Sequence, residues 1–217
     1  MRAGTRLLLF VMALPLVPTT ARAQGFLNEF SSEGIRLAGI GFDVGGIWSD
    51  RLDPAFSGSI RVDAGFVAPH IRPLLSASVF HSRYAADEIQ TLEDRLTALV
   101  VDPTGQARVV IGDITLTNVT LDLDLQYVFT VGRVTPFMGL GMGVHIRNAA
   151  GSAIQGTFLE EALQAIVAAG NATAGVEVRL SPTVNFTAEA RGIAASGLMA
   201  LSARGGLMLR FPGRSGR

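Results

Sequence analysis

The sequence predicts an all-β chain: an eight-stranded antiparallel up-and-down transmembrane β-barrel with short helices in two extracellular loops. Three observations carry the prediction. From Asn118 to Phe129 apolar and polar residues alternate without a break. The chain is 48% hydrophobic with a mean hydropathy of +0.38, yet beyond its first residues no run is long and apolar enough for a transmembrane helix. The connections between alternating segments also sort by length: those after the second, fourth and sixth segments are short, and two long insertions follow the third and fifth. In an antiparallel barrel those two sets lie on opposite rims.

The N-terminus reads as an export leader. Arg2 and Arg6 precede an apolar run from Leu7 to Val17, and Ala21-Arg22-Ala23 is a small-x-small cleavage pattern. The expected organisation is therefore a signal peptide over 1–23, a barrel over 24–211 and a tail over 212–217. The chain has no Cys, so neither a lipid anchor on a post-cleavage Cys nor a disulfide framework is expected. Losing Arg2, Arg6 and Arg22 takes the 18 basic residues, all Arg, to 15 against 18 acidic ones. That slight acidity is no footprint for nucleic acid.

The first strand is expected over about Ile35 to Trp48, with Phe42 and Val44 on one face and Gly39, Gly41 and Asp43 on the other. Asp53-Pro54 marks a loop. The second strand, about Phe56 to Ala68, sets Ile60 and Val62 against Arg61 and Asp63. Pro69 to Pro73 reads as a turn, and the third strand runs to about Tyr84 with Leu75, Ala77 and Val79 outward and Ser76, Ser78 and Ser82 inward. Ile89, Leu92, Leu96 and Leu99 then recur at helical spacing after an Asp87 cap, so a helix is expected over 85–101. In the fourth strand Leu121, Leu123, Leu125 and Tyr127 share one face while Asp122, Asp124 and Gln126 share the other.

The fifth strand, about Thr135 to Arg147, opposes Met138, Leu140, Met142, Val144 and Ile146 to Gly139, Gly141, Gly143, His145 and Arg147. A capping box at Thr157 and Glu160 predicts a second helix through about Ala168. The sixth strand, Asn171 to Leu180, carries Glu177 and Arg179 on its polar face. The seventh, about Thr183 to Ala195, carries Glu189 and Arg191, and the eighth, about Leu198 to Phe211, carries Arg204 and Arg210. Aromatics collect near the strand ends, with Phe66, Tyr127, Phe129, Phe137, Phe186 and Phe211 at one rim and Trp48 and Tyr84 at the other.

With the leader, the strand Pro136-Phe137-Met138-Gly139-Leu140-Gly141-Met142-Gly143 and the closing Leu207-Met208-Leu209-Arg210-Phe211, the mature chain resembles the outer-membrane protein A-like family of eight-stranded barrels, including the opacity-type surface proteins. The resemblance implies a bacterial outer-membrane location with outer-membrane lipid and lipopolysaccharide as surroundings. It also implies recognition by the barrel-assembly machinery, which in such barrels reads a terminal aromatic; here Pro212 to Arg217 follow Phe211. A peptidoglycan-binding domain, and with it tethering to the wall, is not expected from the sequence.

The candidate functional residues are the inward charges: Asp43, Arg61, Asp63, Asp122, Asp124, His145, Arg147, Glu177, Arg179, Glu189, Arg191, Arg204 and Arg210. Eight strands leave a lumen that side chains fill, so these groups are expected to pair and block a wide pore. The alternative is a narrow, porin-like path for small or hydrophobic solutes. No cofactor or metal is expected, because His70, His81 and His145 are scattered. The Gly139, Gly141 and Gly143 stripe has a strict spacing of two and no following helix, so it is not a nucleotide fingerprint but a face kept clear for large neighbours. His81-Ser82 suggests the lipid A deacylases, whose motif separates His and Ser by one residue. Adjacent residues of a strand point to opposite faces, so catalysis is not expected. An extracellular ligand, if one binds, is expected through loops 85–112 and 148–170.

Overall fold

The computed structural model describes residues 35–99, 110–129, 133–157, 161 and 163–211. The leader at 1–23 and the tail at 212–217 lie outside the described residues. The strands are β1 Gly39–Ser49, β2 Ala55–Asp63, β3 Ile71–Arg83, β4 Thr115–Val128, β5 Val134–Ala150, β6 Ala165–Arg179, β7 Val184–Ala195 and β8 Leu198–Arg210, with one helix, α1, at Ala86–Leu99. They form a closed barrel in sequence order. Each strand is antiparallel to the next, and β8 returns to β1, from Gly39 opposite Arg210 to Ser49 opposite Ala200.

The direction of the alternation is inverted relative to a water-soluble sandwich. On β4, Leu121, Leu123 and Leu125 are exposed while Asp124 is 0% and Gln126 1% exposed. Leu123 stands beside Leu75 on β3 and Met142 on β5, so the apolar face runs on from strand to strand. Leu140 and Met142, each more than 70% exposed, and Phe42, Val44, Ile60, Leu207 and Leu209 extend it around the wall. An apolar belt of this extent needs an apolar solvent, and the strands supply it only if lipid surrounds the barrel. Phe66, Tyr127, Phe129, Phe186 and Phe211 are exposed near the terminal rim, where β1 begins and β8 ends, and the Tyr127 and Phe129 rings meet edge-on at 4.9 Å. Trp48 and Phe56 are exposed near the opposite, loop-bearing rim. Phe137 and Tyr84 differ from the other rim aromatics: Phe137 is buried in the lumen, and Tyr84 packs into the interior at the loop rim.

Two elements depart from the expectation. The second helix, expected from Thr157 through Ala168, is not formed as such: Ala165–Ala168 belong to β6, and of the described residues in that stretch only Glu161 and Leu163 are helical. Ladder pairing of β5 with β6 from Arg147–Ala165 and Ile146–Ile166 onward overrides the local capping signal. The Thr157 hydroxyl donates instead to the Ile154 carbonyl at 2.6 Å. The third strand starts earlier than expected, at Ile71. His70, with φ 66°, makes the reversal within 67–71, closed by the Val67 amide on the Ile71 carbonyl at 3.0 Å. Pro73 therefore lies within the wall, opposite Leu125, and its carbonyl accepts from the Ala64 amide at 3.1 Å.

Inside, the barrel is layered. Charged and amide side chains fill its middle and the terminal rim. At the loop rim an apolar cluster of Ile47, Leu52, Phe80, Ile114, Leu116 and Leu198, with others, takes over, and Leu92 and Leu96 of α1 pack against it. The amphipathic stripe of α1 thus covers the barrel mouth.

Candidate functional site

All eight strands line the lumen, its paired charges come from every strand but β5, and the pairs run both between neighbouring strands and across the barrel. Arg61 on β2 donates from Nη1 to Glu189 Oε2 on β7 at 2.9 Å and pairs with Asp43 on β1. Ser59 donates to the same Asp43 at 3.2 Å. Glu189 Oε1 also accepts from Arg204 at 2.6 Å and from Arg191 Nε at 3.2 Å. Arg191 then reaches β4, bonding Asp122 at 3.2 Å and pairing with Asp124. Every carboxylate in this group faces at least one guanidinium, as burial of an ion demands.

Nearer the terminal rim lies a second, closed group of two cations and two anions. Arg72 bonds Asp63 at 3.1 Å and Glu177 at 2.7 Å. Arg210 pairs with the same two acids and holds Glu177 from its Nε at 3.1 Å. The Arg72 Nε donates to Gln126 at 3.2 Å, and its guanidinium stands 5.8 Å from the centre of the Phe137 ring. In the sequence Arg72 falls in an expected turn between two prolines. Counting back by twos from Ser76 through Leu74 would have placed it on the inward face.

Room for the acids comes from β5. A Cβ on Gly141 would run into the Asp124 carboxylate and the Asn171 amide, and one on Gly143 into the Asp122 carboxylate. The glycine stripe is the negative image of the charged face of β4.

Three of the thirteen sequence-selected residues stand apart from these groups. His145 is 2% exposed and its Nδ1 lies 3.3 Å from the Asn118 amide, with no ion pair. Arg179 is exposed at the terminal rim. Arg147 lies at the loop rim, where its Nη1 donates to the Ser196 carbonyl at 3.0 Å. The histidine-serine pair is split across the wall: His81 is exposed with Nδ1 3.0 Å from the Thr117 hydroxyl, and buried Ser82 donates inward to the Asp53 carbonyl at 2.6 Å. His70 sits in the β2–β3 turn, so the three histidines occupy separate parts of the molecule.

Between α1 and the loop rim is a partly enclosed cavity of about 240 Å³, lined by Arg51, Tyr84, Glu88, Leu92, Arg95, Arg147 and aliphatic side chains. Burial raises the Tyr84 phenol above its ordinary range, while the charges of Arg147 and Arg51 pull against that rise. The sequence offered no signal for this cavity beyond the stripe of α1, because its walls come from six separate segments.

No protein-family model and no curated protein sequence matches the chain. Solved structures do. Neisserial surface protein A is 12% identical, matching over 82% of this chain and 99% of its own, with a TM-score of 0.54. The N-terminal β-barrel domain of Pseudomonas aeruginosa OprF is 14% identical over 80% of this chain and 98% of its own, with a TM-score of 0.45. Ail, the attachment invasion locus protein of Yersinia pestis, in complex with the heparin analogue sucrose octasulfate, is 11% identical over 81% and 100%, with a TM-score of 0.45. At these identities the likeness is one of fold, carried by the first match: the chain has the eight-stranded outer-membrane β-barrel fold.

Proposed function

We propose that this protein is an integral outer-membrane barrel with a structural or surface-interacting role, a lumen closed by its own charged side chains, and no catalysis. In this reading the 1–23 leader is removed on export, the barrel-assembly machinery inserts the chain, and outer-membrane lipid with lipopolysaccharide surrounds the apolar belt. The terminal rim then faces the periplasm and the loop rim faces outward, where any extracellular partner would be met.

The single observation that supports closure is the pairing of lumenal charges between strands that are not neighbours, β2 with β7, β4 with β7 and β3 with β6. A water-filled path would have to part those pairs. The test is conductance in planar bilayers. Refolded protein is expected to give no stepwise current; discrete steps would instead favour the narrow channel for small or hydrophobic solutes. Lipid A from expressing cells is expected to keep its acyl pattern, and a changed pattern would point to the lipid-modifying alternative.

A further inference from the structure

The loop-rim cavity has a charge pattern unlike that of the lumen beneath it. In the lumen each paired arginine faces acids. Here three guanidinium-bearing residues, Arg51, Arg95 and Arg147, open onto the space with one carboxylate, Glu88. No ion pair ties any of the three arginines to an acid among the described residues. The sharpest case is Arg147: its Nε and Nη2 are buried and unpartnered, and its one bond among the described residues, through Nη1, is to a neutral carbonyl. Burying a cation away from water without an anion is unfavourable, so this corner is preformed for a negative group. The Tyr84 phenol lines the same space as a further hydrogen-bond donor.

The remaining wall is aliphatic. Leu52, Ile114, Leu116 and Leu198 belong to the apolar cluster of the mouth, and Leu92 of α1 packs on them. A cavity of about 240 Å³ has room for about eight waters at ~30 Å³ each. That suits a small anionic head and the first stretch of an alkyl chain, not a bulky solute.

We propose that this cavity binds an anionic amphiphile, a single carboxylate or phosphate on an alkyl chain, with the head on Arg147 and Tyr84 and the methylenes against Leu92 and Leu116. The inference goes beyond the role proposed above and does not require the lumen to be closed, so conductance and ligand binding succeed or fail separately.

The test uses the mature protein in nanodiscs of zwitterionic lipid, titrated at low salt with decanoate, decyl phosphate and decanol, with empty nanodiscs as the baseline. Saturable one-to-one binding of decanoate or decyl phosphate is expected, and the tighter of the two identifies the head group. Decanol is expected to bind about tenfold more weakly or worse, the factor of one charge-assisted hydrogen bond. Arg147→Gln should weaken the anion by a similar factor and leave decanol unchanged. Protein discs indistinguishable from empty discs, decanol equal to the anions, or an Arg147→Gln variant that binds as well as the parent would each overturn the proposal. If Arg147→Gln does not fold, Tyr84→Phe replaces it: weakened anion binding is expected because the head rests on that phenol, and unchanged affinity overturns the proposal equally.

Discussion

Arg61 on β2 and Glu189 on β7 meet across the lumen, Nη1 to Oε2 at 2.9 Å, with β1 and β8 standing between their strands in the wall. Glu189 is the acid on which three guanidinium groups converge, those of Arg61, Arg191 and Arg204. Glu189→Ala should therefore strip the anion from a buried cationic cluster and cost about 3–5 kcal/mol. Urea unfolding in detergent micelles checks this, and a loss under 1 kcal/mol would show that water already solvates the cluster.

The two faces of β4 make opposite demands. Leu123→Arg places a charge in the lipid belt at a cost of about 2–4 kcal/mol. Asp124→Asn keeps the shape of the side chain, and Arg191 retains Asp122 and Glu189. Membrane assembly, read as the heat-modifiable band on gels, should fail far more for Leu123→Arg. Equal damage would mean that the faces are exchanged.

Glycines of the wall are not equivalent. Gly141→Ala should cost about 1–3 kcal/mol through overpacking, since its Cβ lands on the Asp124 carboxylate. Gly192 has nothing within 4 Å of the same added atom, so Gly192→Ala should leave stability unchanged or slightly raised. Paired unfolding curves decide the point.

Replacing Ala86–Leu99 by a short Gly/Ser linker removes α1 but no strand pair, and a heat-modifiable barrel should survive. Because the ion pairs lie beneath the apolar cluster, the shortened protein should remain non-conducting in planar bilayers. A current appearing only in the deletion would make α1 the plug. The equivalent replacement of Thr157–Ala168 is not a loop deletion, because it cuts four residues from β6; it should impair assembly.

Only Tyr84 and Tyr127 carry phenols. In a Tyr127→Phe variant, phenolate absorbance should place the Tyr84 midpoint above its ordinary value of 10.0. Between the ordinary value and the raised one the folded state keeps a proton that the unfolded chain has lost, so stability falls as pH rises through that window. A midpoint at or below the ordinary value would mean that Tyr84 is open to water.

Much of the fold is legible because period-two alternation ties each residue to a face, and a closed wall gives every face one meaning. From Leu121 to Tyr127 the pattern separates two faces, and the export leader with the high overall hydropathy says which of them meets lipid. The pattern gave way where local and ladder signals compete: Thr157 and Glu160 read as a cap, yet pairing with β5 draws Ala165 into a strand. Arg72 was hidden by Pro69 and Pro73, which together suggest a turn; here Pro69 lies in the reversal made by His70 while Pro73 already belongs to β3. The lumenal partners could be named as a set but not matched, because which arginine meets which acid depends on barrel stagger, a property of all eight strands together. The loop-rim cavity depends on the meeting of distant segments, and no sequence window spans it.

Gly39 and Arg210 are partners in the wall although nearly the whole described chain separates them, so sealing occurs late and against a large entropic cost. The last strand brings more than backbone partners. Without β8 the interior holds six paired acids, Asp43, Asp63, Asp122, Asp124, Glu177 and Glu189, against three arginines, Arg61, Arg72 and Arg191; Arg204 and Arg210 arrive with β8 itself. A half-made barrel is thus strongly anionic inside and disfavours its own desolvation. Timing and electrostatics reinforce one another: the interior becomes affordable to dry only when the final strand docks, which makes insertion close to all-or-none and leaves little population of open-seamed intermediates.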